Sequence, residues 1–197
     1  KGGAGGTVGM AEVAKAPADG YTLALSAISP LTLSPHLMKL PYDPFKDIVA
    51  VAPMMYSPVY VLGTTAFSGK SWDDLIAQAK AKPGSIRIAT SGVGSVGHIM
   101  VEQIQAQTGV ELVHVPYKGG PDAITGVLRG EACCIMNQVQ TVLPHVKSGK
   151  LKMIAGSTKE RIAAVPDVQP VAESGIEGTK DFDSAIWFGI FAPKNTP

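Results

Sequence analysis

Five residues with strand character, Ile86-Arg87-Ile88-Ala89-Thr90, run through Ser91 into Gly92-Val93-Gly94-Ser95-Val96-Gly97, and His98 then opens a helical stretch. The three glycines satisfy G-x-G-x-x-G. Glycines at such a turn permit tight backbone paths and close ligand approach, and the N-terminus of the following helix favours an anion. The same glycines also serve a plain strand-to-helix turn, and both meanings stand. Ser91 and Ser95 add two hydroxyls and favour a ligand site.

Three chemistries can be weighed on this segment. A dinucleotide site also wants an acidic residue at the end of the next strand, to bond the ribose. Here that strand ends His114-Val115-Pro116-Tyr117-Lys118, so a nucleotide-dependent enzyme is left as the weaker alternative. Neither Ser91 nor Ser95 has glycines two residues to either side, as a nucleophile elbow requires, and no catalytic residue is assigned. Ser95 and His98 share one helical turn, the arrangement of a capping serine beside a binding or packing histidine. Tyr117 and Lys118 precede Gly119-Gly120, a second turn whose groups can face a cleft or simply turn the chain. His36, His98, His114 and His145 show no ligand spacing with one another or with the cysteines, so no metal and no cofactor is expected.

The bulk properties narrow the partners. Seventeen basic residues against sixteen acidic ones leave a net charge of +1, without the electrostatic footprint of a nucleic-acid binder. No apolar run approaches the roughly 20 residues that cross a bilayer. The N-terminal Lys1-Gly2-Gly3-Ala4-Gly5-Gly6 has no features of a secretory signal. Adjacent Cys133 and Cys134 point to opposite faces of a strand, so two buried thiols are expected rather than a disulfide. The chain has room for one large domain or two small ones.

Apolar, β-branched runs predict strands at 21–26, 59–62, 86–90, 112–115, 132–136, 152–155 and 188–192. Helical spacing covers 7–15, 72–82, 96–108, 121–129 and 139–147, with Gly109, Gly130 and Gly149 placed as C-terminal caps. Strands alternating with helices predict an α/β fold built on a mostly parallel sheet covered on both faces. Proline-rich stretches at 41–44, 53–58, 166–170 and 193–197 read as turns or domain connections, and both ends look cut.

Ordered blocks extend over almost the whole chain: Gly3-Ala4-Gly5-Gly6-Thr7-Val8-Gly9, Ala18 to Leu23, Pro41 to Pro44, Ser91 to His98, His114 to Gly119, Leu143 to Lys150, Pro166 to Val168 with Ala172 to Gly175, and Trp187 to Pro193. In that order and spacing they resemble the substrate-binding proteins of tripartite tricarboxylate transporters, the Bug-type receptors. The resemblance implies a type II periplasmic binding protein-like fold, with two α/β domains and a ligand cleft between them. Residues 1–57 with 188–197 would form an incomplete first domain and 58–187 the second, a strand and glycine loop before Gly3 and helices after Pro193 being absent. It further implies a periplasmic, non-enzymatic receptor, a monomer, that captures a small carboxylate and presents it to membrane permease subunits; a sensor not coupled to transport is the other outlet. Carried over by motif, Ser91, Gly92, Gly94, Ser95 and His98 form one jaw, Ser26 and Ser29 come from the first domain, and Tyr117 and Lys118 close the side. Asn137 stands where many relatives carry aspartate, which favours a plain di- or tricarboxylate over an amino acid.

Overall fold

Along the central strands, successive side chains enter two different cores, which is why these segments read as unbroken apolar runs. Val59 and Val61 pack on one side and Tyr60 and Leu62 on the other; Ile88 and Ala89 divide in the same way, as do Cys134 and Ile135. A strand covered on both faces has no polar face to show. The computed structural model describes residues 3–197. Its strands are β1 (Ala24–Ala27), β2 (Ile48–Thr64), β3 (Arg87–Thr90), β4 (Val113–Pro116), β5 (Cys134–Gln138), β6 (Leu151–Gly156) and β7 (Ala185–Pro193). Its helices are α1 (Thr7–Ala14), α2 (Ser29–Thr32), α3 (Ser34–Leu37), α4 (Trp72–Ala81), α5 (Val96–Thr108), α6 (Gly120–Leu128) and α7 (Val139–Lys147).

The strands run in the order β1-β7-β2-β5-β3-β4, with β6 also on β2. Trp72, Leu75 and Ile76 of α4, with Met100, Val101 and Ile104 of α5, fill the core on one face; Ala123, Ile124 and Val127 of α6, with Val139 and Val142 of α7, fill the other. A smaller core joins Met10 and Val13 of α1 to Tyr42, Ile48 and Phe191.

The class is α/β, but the expectation of a mostly parallel sheet is corrected. Only β3 with β4 and β3 with β5 are parallel among the described ladders, while β1–β7, β2–β7, β2–β5 and β2–β6 are antiparallel. The βα repeat governs only the stretch from β3 to α7; β2 and β7 are return strands, and side-chain periodicity carries no record of strand direction. The stretch 53–58, expected as a turn or domain connection, is no turn: it lies inside β2. Its ladder with β7 shifts register between Ala50 and Ala52 and between Pro53 and Met55, irregularities where a residue without an N–H is accommodated. The strand exchanges partners at its middle: Ile48 to Pro58 pair with β7, and from Val59 onward β2 pairs with β5 and β6.

The parallel trio positions the functional groups. Because β3, β4 and β5 point the same way, their C-terminal ends share one edge, and α5, α6 and α7 all begin there. The start of α5 is fixed by Ser95, whose Oγ accepts from the His98 N–H at 3.2 Å, and its end by Gly109 at φ 69°. Cys134 is buried and Cys133 only half-buried, both as free thiols, so the expectation of two buried thiols holds for one. Among the described residues, no helix is long and apolar enough to cross a membrane.

Candidate functional site

At the shared edge lies a cavity of about 290 Å³. Four helix N-termini border it: α1 through Gly5 and Gly6, α5 through Ser95, Val96 and Gly97, α6 through Gly119, Gly120 and Pro121, and α7 through Asn137, Gln138 and Thr141. The first N–H groups of a helix have no partner within it and carry its positive dipole end, so this convergence makes a positive potential without spending charged side chains. Among the described residues lining the cavity, Lys118 is the one charged residue and none is a carboxylate. Val59, Met136, Ile186 and Phe188 supply an apolar wall. The arrangement suits a small anion with a short hydrocarbon body.

Of the residues expected from sequence, Ser29, Ser91, Ser95, Lys118 and Asn137 line this cavity. Asn137 is buried and joins two helix starts: its Nδ2 donates to Gly120 O at 3.4 Å, and its Oδ1 accepts from Gln138 N at 2.8 Å and Thr141 Oγ1 at 3.2 Å. An amide nitrogen carries two protons, so a second donor is left for a ligand.

The other five lie elsewhere. Ser26 borders a separate groove with Met10 and Val13, which Ala27 also lines, and its Oγ donates to Ala27 O at 3.0 Å. Gly92 borders a separate, shallower groove of about 640 Å³ together with Tyr117, Asp122, Arg129 and Glu131. Tyr117 is held there: its hydroxyl donates to Glu131 Oε2 at 2.6 Å, and burial and that carboxylate push the phenol up to about 12. The Gly94 N–H is committed to His98 Nδ1 at 3.3 Å, and the Gly92 N–H to Thr90 Oγ1 at 3.3 Å. These amides hold the turn itself, so the anion-facing donors of this segment are the first amides of α5, at Val96 and Gly97. His98 stacks on His114, ring centroids 4.3 Å apart, outside the cavity lining.

Sequence reasoning assigned no site role to Gly3, Gly5, Gly6, Gln138 or Thr141, which also border the cavity. The first three carried a signal, a glycine cluster running directly into a helix. Thr141 had one only in its spacing, one helical turn beyond Asn137.

A mixed α/β sheet with an anion-suited cavity at the start of several helices is the architecture of an α/β protein that holds a small ligand. The family model described as "Tripartite tricarboxylate transporter family receptor" matches residues 1–197, and the chain belongs to that family. The chain is 36% identical over 196 residues to Protein BugT of Bordetella pertussis, covering 98% of this chain and 59% of that protein. It superposes on the periplasmic binding protein BugD with a TM-score of 0.92 at 31% identity, covering 100% of this chain and 65% of that one. MatC from Rhodopseudomonas palustris, solved with bound malate, superposes with a TM-score of 0.89 at 30% identity, covering 99% of this chain and 66% of that one. The fold is therefore type II periplasmic binding protein-like. The chain spans somewhat over half the length of the curated relatives it matches.

Proposed function

We propose that this chain is the ligand-holding part of a periplasmic receptor that captures a small dicarboxylate reversibly, without chemistry, for membrane permease subunits. The observation that carries this reading is the meeting of four helix N-termini, Lys118 and neutral polar groups at one cavity that no carboxylate lines. Two carboxylate groups can each be met by backbone amides, with the Ser29 and Ser91 hydroxyls and the Asn137 amide completing the shell. A relative of the same fold holds malate, an acid of this class. At about 290 Å³ the cavity has the size for such an acid and not for a dinucleotide.

The cavity draws its lining from both sides of the partner exchange on β2: Gly5, Gly6, Ala27 and Ser29 from one, Ser91, Ser95, Lys118 and Asn137 from the other. This supports a division into residues 1–57 with 188–197 and residues 58–187, with the cleft between and the β2 and β7 crossings as the hinge. A ligand touching both lobes favours the closed form, the state a permease can read.

Calorimetric titration of the protein with malate, succinate and citrate, against the diamide of malate, tests the reading. Heat is expected from at least one diacid and none from the diamide. Equal binding of the diamide, or silence across the acids, would overturn it.

A further inference from the structure

The turn between β3 and α5 is closed by a ring of hydrogen bonds. Ser95 Oγ donates to Gly92 O at 2.7 Å and accepts from the His98 N–H. Thr90 Oγ1 accepts from the Gly92 N–H, donates toward Gly92 O at 3.5 Å and lies 2.6 Å from His114 Nε2, the direction of that last bond following the His114 tautomer. The Gly94 N–H ends on His98 Nδ1. That last bond requires Nδ1 to be unprotonated, which places the proton of neutral His98 on Nε2, 3.8 Å from Glu102 Oε1. The titratable groups facing His98 are Glu102, on its own helix, and His114, from β4. His114 is pushed down to about 4 by burial and by His98, so it stays neutral where an ordinary imidazole titrates.

We propose that His98 is a positioning residue, a proton-sensitive clasp on the ligand turn: neutral, its Nδ1 holds the Gly94 amide and keeps Ser91, Ser95 and the first α5 amides aimed at the cavity; protonated, it presents a second donor to that amide and releases the turn. This rests on reading the cavity as a carboxylate site. Binding would weaken as the medium acidifies, independently of any titration of the ligand.

The test has two readouts. Calorimetry with malate compares wild type, His98→Asn and His98→Ala between about pH 7.5 and about pH 5. Asn offers an acceptor near the Nδ1 position and does not titrate. Wild-type affinity is expected to fall about five- to tenfold on acidification, the scale of one lost hydrogen bond. H98N should bind more tightly than H98A and fall less on acidification than wild type, the fall that both share being protonation of malate itself, whereas an equal acid-induced fall in H98N would overturn the proposal. The second readout needs no ligand: in wild type, the Gly94 amide resonance should titrate together with the His98 ring. A Gly94 amide indifferent to pH while His98 titrates overturns the clasp even if the cavity binds carboxylates, and absence of carboxylate binding with a titrating Gly94 amide would count against the function of the cavity alone.

Discussion

Ser57 Oγ donates to Gln140 Oε1 at 2.9 Å, joining residues 83 apart in sequence, at the point where β2 is about to exchange β7 for β5 and β6. Ser57 is fully buried, and Gln140 lies in the first turn of α7, whose start borders the cavity. Ser57→Ala would leave the Gln140 carbonyl without this donor. Its expected cost is about 1–2 kcal/mol, read as a lower urea midpoint at unchanged slope. A change in slope would instead mean that the compactness of one state had altered.

Gly92 carries φ 129°, and a Cβ built there would stand 2.8 Å from the carbonyl oxygen of Tyr117 and 3.5 Å from Gly5 N. Gly92→Ala therefore combines an unfavourable backbone conformation with a backbone contact that no side chain can relieve. About 1–3 kcal/mol of stability should be lost. The turn beside Ser91 and Ser95 must also shift, so affinity for a dicarboxylate should fall at least about tenfold. Denaturation and calorimetry on the same variant would separate the two effects.

Much of the fold was legible because local chemistry wrote it. Helices 96–108 and 139–147 match their predicted limits, the first because Ser95 caps its start and Gly109 its end. Helices α2 and α3 were not predicted, although each carries proline in its first turn, because four residues show no apolar period. The length of β2 was hidden by Pro53 and Pro58, and strand direction is invisible to a period of two. Ser91, Ser95 and Asn137 border the cavity because they follow strands that precede helices. Ser26 does not border the cavity whereas Ala27 does, a matter of β1 register that apolar spacing alone does not fix. The role of Gly94 was hidden by a contact to His98 that glycine spacing alone does not reveal.

Lys118 is exposed yet borders the cavity, the one cation among the described residues that line it. Lys118→Gln should weaken a dicarboxylate by about three- to fivefold, the scale of a solvent-screened ion pair. The loss should shrink as salt is raised, because screening already removes the interaction in wild type. A salt-independent loss would mean that the side chain contributes through contact instead of charge.

His114 supplies a pH dependence of stability with a definite sign. Its imidazole is pushed from 6.5 to about 4 in the folded chain, first by burial and then by His98. Between those values the unfolded chain binds a proton that the native one refuses, so this contribution is present above about 6.5 and is lost as pH falls toward 4. The half-buried ring is partly screened, and the expected loss is about 1–2 kcal/mol. Urea unfolding across this range should show wild type losing stability on acidification, and His114→Gln losing less, since glutamine does not titrate. Tyr42, Tyr60 and Tyr117, each pushed up to about 12, act at the other extreme: they favour the native state below 10, and that advantage disappears as pH rises toward 12. Phenolate absorbance followed through alkaline unfolding should therefore appear late, in step with loss of structure. An early, independent rise from these three rings would show that they are not held as the fold places them.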